Sequence, residues 1–151
     1  MCSPNDDLEL TVDKLIFRFP KELRYSEAGL WIRQEESLLR IGMSDFVQQR
    51  NGDIAFAALL PAGTVLDAGD EIAAIETVKV NISLPSPVRG RVVKVNSSLQ
   101  ESPELINQDP YGKGWIAVVR PENSDPDLTA LMTAEEYLTL ARQQVEAELM
   151  S

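Results

Sequence analysis

Histidine is missing from this sequence of 151 residues, and cysteine occurs once, at Cys2. The lack of histidine removes the commonest general base, the usual hydrolytic triads and most zinc sites, so we expect no metal site. A single cysteine provides neither a disulfide framework nor a thiol pair. Any redox chemistry therefore has to come from a cofactor.

Positive charge is also scarce, because 14 Lys and Arg stand against 24 Asp and Glu and give a net charge of −10. A surface of this sign repels phosphates and suits partners with basic docking faces. No apolar run is long enough to span a membrane, and the acidic start of the chain does not resemble a signal peptide. We therefore expect a cytoplasmic protein that binds neither nucleic acid nor membrane.

The rest of the composition is that of a globular chain, with 44% hydrophobic and 25% charged residues. The pattern predicts a disordered tail over residues 1–12 and a single domain over residues 13–151. Short runs of strand-forming residues separated by turn signals predict an α+β domain built on antiparallel sheets.

Helix signals flank the predicted strands. Ser44 before an acidic first turn, with Gly52 as the stop, predicts a short capped helix. Thr133 and Glu136 have the spacing of a capping box. Apolar residues every four positions after it, beginning at Tyr137, predict an amphipathic C-terminal helix that packs on the sheet.

One lysine, Lys79, interrupts an apolar, β-branched run that extends from Ile75 to Ile82. Burying an ammonium group is costly, so the run predicts a tight hairpin with Lys79 at its tip. We expect Val78 and Val80 to point inward. Short strands arranged around a lysine suit a swinging-arm carrier, and an ordinary exposed lysine on a hairpin is the alternative.

The residues around Lys79 resemble the glycine cleavage H-protein family. The resemblance rests on Glu76-Thr77-Val78-Lys79-Val80, on residues 86–96 and on residues 107–115, and it extends from about Tyr25 to Tyr137. It implies a flattened antiparallel β-sandwich, or barrel-sandwich hybrid, with flanking short helices and a C-terminal helix. It also implies a carrier that serves a multi-enzyme system rather than an enzyme.

The resemblance implies lipoic acid in amide linkage to Lys79, supplied by a lipoyl ligase or a lipoyl synthase. By the family pattern Glu76 and Gly90 help the lipoylating enzyme to recognise the hairpin, and Val78 and Val80 flank the attachment point. Gly90 is expected where a strand must turn or approach another strand closely. A lipoyl dithiolane reacts by thiol–disulfide exchange, so the scaffold needs no histidine or cysteine of its own.

Two departures from the family concern the cargo. The family usually has His-Glu before its tryptophan and often has an acid four residues after the lysine, where this chain has Gly29-Leu30 and Ser83. We expect a cargo cleft lined by Ala28, Gly29, Leu30 and Ser83 that offers no carboxylate to a cationic aminomethyl cargo. Leu30→Glu together with Ser83→Asp should then restore cargo binding.

These departures favour an H-like lipoate-binding protein of a sulfur-oxidising pathway, whose arm would serve a heterodisulfide-reductase-like complex. One alternative is a genuine glycine cleavage H protein that carries the aminomethyl group between glycine cleavage enzymes, with dihydrolipoamide dehydrogenase as a further partner. The other alternative is an unlipoylated interaction module.

Overall fold

The computed structural model describes residues 7–123 and 128–150, and its elements are mostly strands. The strands are β1 (Asp7–Val12), β2 (Leu15–Pro20), β3 (Arg24–Tyr25), β4 (Leu30–Glu35), β5 (Leu38–Met43), β6 (Ile54–Leu59), β7 (Val65–Leu66), β8 (Glu71–Thr77), β9 (Asn81–Pro85), β10 (Gly90–Val95) and β11 (Ala117–Pro121). The helices are α1 (Asp45–Asn51), α2 (Ser98–Glu101), α3 (Leu105–Gln108) and α4 (Ala134–Met150), and a 3-10 turn covers Leu128–Ala130.

The strands form three antiparallel sheets. A six-stranded sheet has the order β3-β4-β5-β11-β10-β7, a three-stranded sheet has the order β6-β8-β9, and β1 pairs with β2. Buried residues of the two larger sheets belong to one hydrophobic cluster, to which Ile75 and Leu84 contribute from one sheet and Val92 and Val119 from the other. This arrangement confirms the predicted α+β fold, a sandwich of antiparallel sheets with flanking helices.

A second, aromatic cluster joins α4 and the β1–β2 hairpin to the six-stranded sheet. The rings of Tyr25 and Tyr137 stack with their centroids 5.0 Å apart, and the Tyr137 hydroxyl lies 3.2 Å from Ser44 Oγ. Burial raises the pKa of Tyr137 to about 12, so this phenol stays neutral at physiological pH. The C-terminal helix is therefore docked through a buried, hydrogen-bonded ring.

The start of the chain differs from the prediction of a disordered tail over residues 1–12. Residues 7–12 form β1, which pairs with β2 so that Leu10 lies opposite Phe17. Leu10 is buried in the aromatic cluster. The prediction was wrong for this strand because its short, acid-interrupted alternation becomes stable only against the partner strand and that cluster. Residues 1–6, including Cys2, lie outside the described residues.

Both capping predictions are confirmed. The N–H of Val47 donates to Ser44 Oγ at the start of α1, and Gly52 ends the helix with a φ of 81°. At the start of α4, Thr133 N–H donates to Glu136 Oε1 (3.0 Å) and Glu136 N–H donates to Thr133 Oγ1 (3.2 Å). Hydrogen bonds from the backbone and the side chain of Thr133 to the Glu136 carboxyl lower its pKa. Among the described residues, no helix is both long enough and apolar enough to cross a membrane.

Candidate functional site

Lys79 lies in the turn that connects β8 to β9. The last pair of the ladder is Glu76 with Asn81, and the N–H of Thr77 donates to the carbonyl oxygen of Val80 at 2.9 Å. The Lys79 side chain is exposed, and no described residue forms a salt bridge with it. The hairpin therefore presents a free amine to solvent, as the sequence predicts.

The turn is held by a side chain that the sequence analysis did not single out. The Thr77 hydroxyl oxygen accepts hydrogen bonds from the N–H of Lys79 (3.1 Å) and of Val80 (3.0 Å). The same hydroxyl donates to the carbonyl oxygen of Val80 (3.1 Å). A Ser or Thr two residues before a turn's apex is the available sequence signal, because its hydroxyl can bond the backbone two or three residues ahead.

We expect Thr77→Val to slow lipoylation of Lys79, because valine keeps the shape of threonine but bonds none of these backbone groups. Loss of about 1 kcal/mol of turn stabilisation corresponds to a kcat/KM that is lower by about three- to tenfold. The measurement is the lipoyl ligase rate on the purified chain. Thr77→Ser is the matched control and should retain most of the rate, whereas a wild-type rate for Thr77→Val would show that the hydroxyl does not organise the turn.

The two valines beside Lys79 do not point inward. Val78 is 76% exposed and Val80 is 47% exposed. The prediction was wrong because the turn projects beyond the ends of β8 and β9, where the opposite sheet offers no layer to pack against. Glu76 is also exposed, and Phe56, its partner on β6, is 48% exposed. The tip of the hairpin thus combines an amine, a carboxylate and apolar side chains on one accessible surface.

Gly90 lies in the other sheet, at the start of β10, where it pairs with both Leu66 and Pro121. A Cβ atom at this position would press against the carbonyl oxygen of Arg120 and lie 2.8 Å from Val119 Cγ1. Close approach of two strands therefore requires glycine here. Its role in recognition by a lipoylating enzyme stays a prediction.

Two of the four residues predicted to line a cargo cleft are buried. Leu30 is 0% exposed and belongs to the core between the two sheets. Gly29 is buried with a φ of 90°, and a Cβ atom there would meet Val47 and the Tyr137 hydroxyl. Leu30 and Trp31 are both buried because the start of β4 is covered on both faces. The sandwich core covers one face, and the aromatic cluster covers the other. Neither Gly29 nor Leu30 can therefore hold cargo.

Ala28 is exposed and lines an open cleft with a volume of about 600 Å³. The cleft also contains the carboxylate side chain of Glu27, and its other lining residues are Tyr25, Ser26, Pro85, Ser86, Pro87, Ala130, Leu131 and Met132. It reaches the end of β9, the strand that leaves the Lys79 turn. The cleft therefore does contain an acid, from a position that the family comparison did not suggest.

Ser83 is exposed on β9, and its hydroxyl donates a hydrogen bond to Glu71 Oε1 at 2.6 Å. A carboxylate from the neighbouring strand thus lies where the sequence analysis expected none. Ser83 is the third residue of β9, about 7 Å along that strand from Asn81, its first residue. Glu71 therefore places a carboxylate beside position 83, where the family often has an acid.

A lysine that is exposed at the apex of a hairpin and forms no salt bridge with any described residue, on a sandwich of small antiparallel sheets, is the arrangement of a swinging-arm carrier. The comparisons identify which kind. The family model for the glycine cleavage H-protein matches residues 23–144, and the chain therefore belongs to the glycine cleavage H-protein family.

Named relatives agree with this assignment. The chain is 40% identical over 124 residues to a protein of Geobacillus thermodenitrificans named glycine cleavage system H protein. The matched region covers 82% of this chain and 97% of that protein. It is 41% identical over 127 residues to the glycine cleavage system H protein of Carboxydothermus hydrogenoformans, covering 84% and 97% respectively. The crystal structure of a glycine cleavage system H protein from Mycobacterium marinum superposes with a TM-score of 0.72 at 28% identity, covering 80% of this chain and 96% of that one.

Members of this family are lipoyl carriers: they bear lipoate covalently on a lysine, serve the P, T and L proteins of the glycine cleavage system, and catalyse no step themselves. The expected assignment to a sulfur-oxidising pathway is not supported, because the relatives carry the glycine cleavage name. That assignment assumed a cleft without an anion, whereas Glu27 lines the cleft beside Ala28 and Glu71 lies beside Ser83.

Proposed function

We propose that this chain is lipoylated on Lys79 and carries the aminomethyl group between the P and T proteins of a glycine cleavage system, with the L protein reoxidising the arm. The observation that carries the proposal is the exposed Lys79 amine at a turn whose backbone is held by Thr77. The match covers 97% of two relatives named glycine cleavage system H protein, and this supports the assignment to the glycine cleavage pathway.

The site suits amide attachment for an electrostatic reason. Acylation removes the positive charge of the amine, and Lys79 forms no salt bridge with any described residue that would be left unpaired. The bound lipoyl group supplies thiol–disulfide chemistry and a long reach. The chain contributes the hairpin to which the lipoyl group is attached. The exposed Val78 and Val80 provide apolar surface beside the attachment point.

Two carboxylates supply the negative charge that a cationic cargo needs. Glu71 accepts a hydrogen bond from the Ser83 hydroxyl on β9. Glu27 lines the cleft at the end of that strand. Both are exposed, so each contributes only as much as a solvent-screened charge pair. An overall charge of −10 adds a further attraction for a cation.

The proposal is tested by glycine–bicarbonate exchange with purified P protein and the lipoylated chain. We expect activity comparable to that of an H protein, and an intact mass that is higher by one lipoyl group. Wild-type chain that is lipoylated but inactive in exchange would contradict the pathway. Chain that stays unmodified beside an active lipoyl ligase would instead indicate the unlipoylated interaction module.

Glu71→Gln should raise the rate at which the loaded carrier loses its aminomethyl cargo in the absence of T protein by about two- to fivefold, because an exposed charge pair contributes about 0.5–1 kcal/mol. The amide keeps the shape and can still accept the Ser83 hydrogen bond. Glu146→Gln makes the same change on the exposed surface of α4 and should leave the rate of cargo loss unchanged. Equal rates of cargo loss for both variants would exclude Glu71 from cargo binding.

A further inference from the structure

Two arginines face each other on neighbouring inner strands, next to the edge strand β7 of the six-stranded sheet. Arg91 on β10 pairs directly with Arg120 on β11, and Val65 on β7 pairs directly with Arg91. Directly paired residues of antiparallel strands point to the same side, so the three side chains form one row. We call this row, Val65, Arg91 and Arg120, the basic edge. All three residues are exposed, and Val65 is 65% exposed.

The pairing is unfavourable for the isolated chain, because like charges directly opposite each other in a sheet are destabilising. In the part of the chain that the structure describes, no carboxylate forms a salt bridge with Arg91 or Arg120. A pairing that costs stability and has no carboxylate partner among the described residues is accounted for by an anionic partner outside the chain.

Neighbouring cations provide the contrast. Arg89 in the same groove is held by Asp67 (2.6 Å) and Glu122 (3.3 Å). In the same sheet, Arg40 bonds Glu35 at 2.9 Å and stacks over the ring of Trp115. These guanidinium groups already have carboxylate partners, whereas the two on the basic edge have none among residues 7–123 and 128–150.

The groove beside the basic edge has a volume of about 460 Å³, and all three residues of the basic edge line it, together with Arg89, Asp67 and Glu122. Arg89 together with Asp67 and Glu122 carries a net charge of −1, so Arg91 and Arg120 bring the groove to a net charge of +1. A guanidinium binds a carboxylate through two parallel hydrogen bonds, so the pair can hold two acidic side chains in a defined register. Val65 adds an apolar contact at the rim.

We propose that the basic edge docks an acidic segment of a glycine cleavage enzyme, with carboxylates on Arg91 and Arg120 and an apolar side chain over Val65; this rests on the proposed function. The overall charge of −10 repels acidic surfaces in other orientations. Repulsion everywhere else and attraction at one edge select a single docking orientation. Docking there leaves the Lys79 hairpin, on the other sheet, free to move its arm.

The test measures the Kd of the lipoylated full-length chain for the purified P, T and L proteins from the same genome. Arg91→Glu should weaken binding to at least one of them by about tenfold and reduce the salt dependence of its Kd. The same substitution places Glu opposite Arg120, a favourable cross-strand pair, so its Tm should equal or exceed that of the wild type. Weaker binding with undiminished stability is a combination that a purely structural role would not produce.

Arg142→Glu on the exposed face of α4 makes the same charge change elsewhere and should bind as the wild type does. Equal affinity of Arg91→Glu and wild type for all three enzymes would overturn the proposal, as would an equal loss in Arg142→Glu. Saturable binding of millimolar inorganic phosphate that Arg91→Glu abolishes, with enzyme affinities unchanged, would make the edge a small-anion site instead. A wild type inactive in exchange would refute the proposed function, whereas an active wild type with an equally tight Arg91→Glu variant would refute only the docking site.

Discussion

Lys79→Arg should gain no lipoyl group when it is expressed with an active lipoyl ligase, whereas the wild-type chain should gain one. Arginine keeps the positive charge and nearly the length of lysine, but its guanidinium remains protonated and does not act as the amine nucleophile in amide formation. The hairpin should stay intact, because its turn is held by the Thr77 hydroxyl and by backbone groups rather than by the Lys79 side chain. Intact mass and peptide mapping give the result directly.

Two other lysines serve as controls. Lys94 lies in β10, and its amine sits over the ring of Trp115 at 5.7 Å. Lys113 lies in the loop before β11, where its N–H donates to Asp109 Oδ2. Lys94→Arg and Lys113→Arg should both be lipoylated normally on Lys79. Modification that persists in Lys79→Arg and maps to either of these positions would contradict the assignment.

Leu30→Glu should unfold the chain or lower its Tm by about 10 °C or more. The side chain is fully buried between the two sheets, where a carboxylate finds no described partner and the leucine packing is lost. Losing a buried leucine alone costs about 2–5 kcal/mol, and burying an unpaired acid adds to this. Such a loss is a large fraction of the 5–15 kcal/mol that typically stabilises a domain. Thermal denaturation followed by circular dichroism measures it.

This expected loss of stability replaces the earlier expectation that Leu30→Glu together with Ser83→Asp would restore cargo binding. The second substitution also works against the structure, because aspartate cannot donate to Glu71 as the Ser83 hydroxyl does and would repel its carboxylate. Ala28→Glu is the matched control, since it adds the same side chain at an exposed position of the cleft. It should melt within a few degrees of the wild type, and a folded Leu30→Glu variant with an equal Tm would show that Leu30 is not a core residue.

The features that follow from the sequence are those with local causes. A capping serine bonds a backbone N–H three residues ahead, and Thr133 with Glu136 closes its own box, so both helix starts were predictable. Lys79 was predictable as an exposed tip, because a lone ammonium in an apolar run has few positions that keep it hydrated. The family motifs around it then indicated the lipoyl carrier.

The features that only the tertiary structure decided depend on what packs across from a residue. Leu30 is buried because the start of β4 is covered on both faces, which no local pattern reveals. Glu71 reaches Ser83, and Arg91 meets Arg120, because strand register brings together residues that are distant in the chain. The sequence therefore predicted the lysine at which we propose that the arm is attached, while cross-strand pairing decided which charged residues lie beside one another.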